Sequence, residues 1–173
     1  MRRAAPGLLA LMLALLLDVL LTWPLAAAGA PVRDVELAAL DGGAPVRLSV
    51  YTGRPLLLNF WAADCAPCVR ELPLLQSQAG RRRRVQFLGV AVGDRLQALG
   101  FARRHGYGAG YPQFAAPAAP AESAALMKRF GNTLSALPYT VVLDPAQRPC
   151  ARRLGELDVA WLAAALAACA GTR

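Results

Sequence analysis

Residues 56–61, Leu-Leu-Leu-Asn-Phe-Trp, form a run with a single polar interruption. That length and apolarity predict a strand covered on both faces, at the centre of a sheet. Residues 85–92, Val-Gln-Phe-Leu-Gly-Val-Ala-Val, predict a second buried strand. Between them, a helical pattern runs from residue 66 to about residue 79. The order strand–helix–strand predicts parallel pairing with a right-handed crossover. Residues 96–105 predict another helix, followed by the glycine-rich loop 106–110. Residues 113–114 predict a brief extended piece, and the Ala/Pro-rich stretch 115–121 a loop. A short helix over 122–130 should stop at Gly131. Residues 139–143 and 150–154, joined by the turn Asp144-Pro145-Ala146-Gln147, predict an antiparallel hairpin. A last helix over 158–170 places Val159, Leu162, Leu166 and Cys169 on one face. Ahead of these elements, residues 35–40 and 46–50 flank Asp41-Gly42-Gly43 and predict two short strands. Strands alternating with helices give an α/β sandwich. No internal repeat is visible.

The N-terminus follows a different pattern. Met1-Arg2-Arg3 precedes an unbroken apolar run over 7–17, and Ala28-Gly29-Ala30 has the small-residue form of a cleavage site. Residues 1–30 read as an export signal. The alternative is a retained membrane anchor through residues 7–23, which approach spanning length. Asp18 weighs against that alternative, because a carboxylate within a spanning helix is costly. Either reading leaves residues 31–173 as one domain outside the cytoplasm, periplasmic or otherwise extracytoplasmic and possibly held at the inner membrane. With 56% hydrophobic and 17% charged residues, the chain is not of disordered composition. Its net charge of +8 would suggest nucleic acid as a partner in a cytoplasmic protein; export removes that expectation. The run Arg81-Arg82-Arg83-Arg84 falls where the first helix should end, and positive charge is favourable there. A docking patch for an acidic partner is the other reading of that run.

Cys65-Ala66-Pro67-Cys68 sits at the joint between the first buried strand and its helix. A thiol at a helix N-terminus meets unpaired backbone N–H groups and the positive end of the helix dipole. Both favour thiolate, the nucleophile of disulfide exchange. Cys65 is therefore the expected attacking thiol. Cys68, one turn on, is the expected resolving thiol. Zinc is disfavoured, because four-cysteine sites use two close pairs and Cys150 and Cys169 are isolated from each other. Those two cysteines are read either as a structural disulfide tying the hairpin to the last helix or as two separate buried thiols. A bridge of that loop size would contribute about 3 kcal/mol in the chain-entropy model. His105 reads as a surface or helix-end residue, and Asp94 as a turn or cap residue.

Taken together, residues 33–170 resemble the thioredoxin superfamily, and within it the TlpA/ResA/CcmG group of exported thiol–disulfide oxidoreductases. The resemblance rests on Asn59-Phe60-Trp61-Ala62 before Cys65-x-Pro67-Cys68, on Glu71 and Pro73 after it, and on Leu137-Pro138 leading into residues 139–144. It implies a thioredoxin-like three-layer α/β/α sandwich with an N-terminal extension and a central insertion over 96–130. It implies that Cys65 and Cys68 form the redox couple, with no other cofactor. Glu71, on the face of Cys68, would exchange a proton with it, a surface glutamate being the alternative. Trp61, Ala66, Pro67, Leu137 and Pro138 would contact the client, with partial burial in the core the other reading of Trp61 and an ordinary trans proline starting an edge strand the other reading of Pro138. The implied partners are client proteins with disulfides or thiols, in cytochrome c maturation or metal-site assembly, and a membrane dithiol electron donor. A disulfide oxidant and a non-enzymatic Cu(I)-binding module are the rival readings. One departure stands beside the motif. Asp64 replaces the group's usual aromatic residue, and its charge should oppose a thiolate at Cys65.

Overall fold

The computed structural model describes residues 30–170 except Arg33 and Ala109. The leader expected over 1–30 therefore lies, apart from Ala30, outside the described residues. Seven strands, β1 (Glu36–Ala39), β2 (Val46–Arg47), β3 (Leu56–Trp61), β4 (Gln86–Ala91), β5 (Gln113–Ala115), β6 (Tyr139–Leu143) and β7 (Pro149–Leu154), form one sheet. Its order is β2-β1-β5-β4-β3-β6-β7. Four helices complete the fold: α1 (Ala66–Arg81), α2 (Arg95–Arg104), α3 (Pro120–Arg129) and α4 (Val159–Ala168). None of the helices among the described residues is long and apolar enough to cross a membrane.

β3 lies in the interior of the sheet, parallel to β4 and antiparallel to β6. All six of its residues are buried, as its unbroken apolarity requires. Period-two alternation divides them between two core layers. Leu57 and Trp61 pack with Leu72 and Leu75 of α1, Ala98 and Ala102 of α2, and Leu162 and Leu166 of α4. Leu56, Leu58 and Phe60 pack on the other face with Leu126 and Met127 of α3. The result is the three-layer sandwich expected from the sequence. The β6–β7 pair is the antiparallel hairpin expected.

Three expectations need correction. Residues 48–51 form a 3-10 turn instead of extending the second strand. Asp34 accepts hydrogen bonds from the Ser49 N–H at 3.0 Å and the Ser49 hydroxyl at 2.9 Å, a local arrangement that competes with a ladder. Residues 113–115 form a strand of the main sheet, parallel to β4 and antiparallel to β1, so the extension and the insertion are joined edge to edge. The loop expected over 115–121 is shorter, because α3 already begins at Pro120, where its missing N–H costs nothing.

Gly89 on β4 has a packing reason for lacking a side chain. A Cβ there would fall on the side-chain amide of Gln113. That amide accepts the Trp61 indole N–H at 3.0 Å and donates to the Tyr111 carbonyl at 2.8 Å. Gly89→Ala is expected to destabilise the domain by about 1–3 kcal/mol, the usual cost of overpacking. A denaturant midpoint unchanged from wild type would contradict this packing account.

Candidate functional site

The C-terminal end of β3 delivers the chain to Cys65, which is the N-cap of α1. Pro67 occupies the first turn, where its ring fits and its missing N–H is not needed. The Cys65 sulfur accepts a hydrogen bond from the Cys68 N–H at 3.3 Å, the place a serine or aspartate oxygen takes in an ordinary N-cap. Cys65 and Cys68 are bonded to each other. Their environments differ: Cys65 is half-exposed, whereas Cys68 is fully buried. Only one sulfur of the pair can therefore be reached from solvent.

Glu71 lies one turn beyond Cys68 on the same helix and is only 2% exposed. Its Oε1 accepts from Asn59 Nδ2 at 2.7 Å, and its Oε2 accepts from the Leu157 N–H at 2.7 Å. Asn59 also donates to the Thr140 hydroxyl at 3.0 Å, and its Oδ1 accepts from the Tyr111 hydroxyl at 3.1 Å. Burial pushes the Glu71 carboxyl up to about 7, against the lowering effect of its two donors. Both hydrogen-bond partners are donors and thus favour the ionised form. Desolvation outweighs them, and the group is poised to change protonation near neutral pH. Burial also pushes the Tyr111 phenol well up, with the Glu71 charge adding to it, so Tyr111 stays a donor.

The other residues expected at the site are placed as follows. Asp64 and Ala66 are exposed beside Cys65, and Pro67 is half-buried. The Leu137-Pro138 peptide bond is cis. Tyr139 pairs with Phe60 and Trp61 ends β3, so Leu137 and Pro138 lie at the sheet end from which the Cys65 loop leaves. Leu137 is half-exposed; Pro138 is buried, and its carbonyl accepts from the Gly155 N–H at 2.9 Å. Trp61 requires correction as a client-contacting residue. It is fully buried, packs on Phe101 with ring centroids 5.8 Å apart and spends its indole N–H on Gln113. The client surface is thus left to Ala66, Pro67 and Leu137. Cys150 and Cys169 are bonded across β7 and the end of α4, Cys150 on the exposed side and Cys169 buried.

Sequence reasoning missed Tyr111, Thr140 and Leu157. Thr140 carried a usable signal, being the polar position of an otherwise apolar strand opposite Asn59. Tyr111 and Leu157 carried none, since each reaches the site from a loop. No group of three or more His, Cys, Asp or Glu residues placed to hold a metal ion occurs among the described residues.

A CxxC disulfide capping the helix after the central strand, with a cis-proline segment at the same sheet end, defines a thioredoxin-like dithiol–disulfide domain. The chain belongs to the AhpC/TSA family, which matches residues 28–157. Among curated relatives it is 36% identical over 83 residues to the thiol-disulfide oxidoreductase ResA of Geobacillus thermodenitrificans, covering 46% of this chain and 47% of that one. The chain thus matches over about half the length of those relatives. Among solved structures, a DsbF homologue from Corynebacterium diphtheriae superposes with a TM-score of 0.67 at 28% identity, covering 80% of this chain and 85% of that one. A thiol:disulfide interchange protein of the thioredoxin family from Chlorobium tepidum superposes with a TM-score of 0.70 at 20% identity, covering 84% and 99%. The latter likeness concerns the fold.

Proposed function

We propose that the protein is an extracytoplasmic thiol–disulfide oxidoreductase that reduces disulfides of client proteins through Cys65 and Cys68. The observation that carries this reading is the asymmetry of the pair: a part-exposed cysteine on the helix cap bonded to a buried one, with a buried, titratable carboxyl one turn further along the same helix. In the reduced protein, the Cys65 thiolate attacks one sulfur of a client disulfide. A Cys65–client bond forms, and the other client sulfur leaves as a thiolate. Glu71 then takes the Cys68 proton, and Cys68 attacks the Cys65 sulfur. The Cys65–Cys68 bond forms as the second client thiolate leaves. The client gains two electrons and the protein gives them up. A more strongly reducing membrane dithiol protein would restore the reduced state, its own two thiols becoming a disulfide.

Ala66, Pro67 and Leu137 offer the client surface around the reactive sulfur. The Leu137 backbone groups take no partner among the described residues, so an extended client segment could pair there as a short added strand. Clients in cytochrome c maturation or metal-site assembly, and placement beside the inner membrane, follow the resemblance and the leader sequence.

Reduction potential tests the direction. Equilibrating the protein in dithiol/disulfide buffers is expected to give a two-electron couple more negative than about −230 mV, on the reducing side of the glutaredoxins and of protein disulfide isomerase. A value near −120 mV would make the protein an oxidant and overturn the reductive reading.

A further inference from the structure

We propose that the end of the domain opposite the Cys65–Cys68 disulfide rests on an anionic phospholipid surface. β3 and β4 are parallel with Leu56 opposite Gln86, so these two residues mark one end of the sheet and Cys65 leaves from the other; β5, parallel to both, enters three residues further along, opposite Gly89. α1 and α2 each begin after the C-terminal end of a strand and run back, bringing their own C-termini to the end marked by Gln86. Arg81, Arg83 and Arg84 close α1 there and Arg103 and Arg104 close α2, all exposed, with Arg54 exposed on the loop before β3. Arg54 and Arg84 line one cavity with Pro145 and Leu166.

This charge is not neutralised. No ion pair joins any of these arginines to a carboxylate among the described residues, whereas neighbouring carboxylates are engaged elsewhere, Asp144 with Arg148 and Asp34 and Glu36 with Arg47. Helix dipoles account for basic residues in the last turns, Arg81 of α1 and Arg103 and Arg104 of α2. They do not account for Arg83 and Arg84, beyond the C-cap of α1, or for Arg54 on another element.

On the reading in which residues 7–23 are kept as a membrane anchor, the chain's own route supplies the occupant. The Val32 N–H donates to the Gln147 carbonyl at 3.0 Å, in the β6–β7 turn at this same end. The apolar segment 7–23 is separated from Val32 by residues 24–31 alone, a tether of at most about 28 Å. A bilayer holding that segment therefore lies within reach of the arginine end. Guanidinium groups match phosphodiester oxygens in geometry as well as charge. The six residues of β3 then hold Cys65 roughly 20 Å or more from the lipid, facing away from it.

The full chain should be placed in nanodiscs of phosphatidylcholine alone and in nanodiscs containing phosphatidylglycerol, and amide exchange followed by mass spectrometry. Peptides covering 81–85 and 103–107 are expected to exchange about fivefold or more slowly on the anionic discs. Peptides covering 132–136, beside Leu137, should be unchanged. Adding 0.5 M salt should erase the difference. Arg83→Gln, Arg84→Gln, Arg103→Gln and Arg104→Gln combined should also erase it. The salt series on wild type stands if that variant fails to fold. Equal exchange on the two lipids, or protection at 132–136 instead, would overturn the proposal. The readout involves no dithiol chemistry, so its failure would leave the redox reading untouched.

Discussion

Glu71→Gln is expected to slow resolution of the mixed disulfide by about 100-fold and to remove a pH dependence centred near 7. The wild-type carboxyl is protonated below about 7 because burial opposes its charge. Above that pH it is a carboxylate one helical turn from Cys68, and as the base for Cys68 it should accelerate the resolving step as it ionises. General-base assistance of this kind contributes on the order of 10² or more. Rates of release from a preformed Cys65–client adduct, followed between pH 5 and 9, read this directly. The same group leaves a mark on stability. Its pKa is raised from 4.5 to about 7 on folding, so the folded state binds the proton more tightly than the unfolded chain. Stability from this group is full below about 4.5, declines as pH rises to about 7 and is then lost. The total is about 3 kcal/mol. Glu71→Gln should flatten that part of the curve. A wild-type curve that runs parallel to that of Glu71→Gln over this interval would show that Glu71 is ionised throughout.

Cys65→Ala is expected to abolish client reduction, by about 10³-fold or more, the scale on which loss of a covalent nucleophile removes catalysis. No other sulfur can substitute. Cys68 is fully buried, and the remaining two cysteines are bonded across β7 and α4. Cys68→Ala differs in kind: the first attack should persist and turnover stop at the adduct. Residual turnover of Cys65→Ala near the wild-type rate, in a coupled assay with a model disulfide, would assign the chemistry elsewhere.

How legible the site was depends on how local each cause is. β3, β6 and the start of α1 could be read because both-face burial and an N-cap sulfur leave marks within a few residues. The Cys65–Cys68 pair is such a local feature. Glu71 could be placed on the correct helix face, but not judged buried. Its burial depends on Leu157, separated from it by 86 positions. Trp61 shows the opposite limit. Whether it lines the site or enters the core is decided by Gln113 and Phe101, both from beyond β4, which enclose it. The 3-10 turn at 48–51 was hidden because its alternating pattern suits a strand, and only the Asp34 carboxylate redirects it.

The central claim is that Cys65, and not Cys68, forms the bond to the client. The most direct test is to mix reduced Cys68→Ala and reduced Cys65→Ala proteins separately with a peptide carrying one disulfide, quench with acid and map the adducts by mass spectrometry. Cys68→Ala should accumulate a peptide bonded to Cys65, and Cys65→Ala should accumulate none. Adducts on Cys68 in the Cys65→Ala protein, with none on Cys65 in the other, would contradict the account.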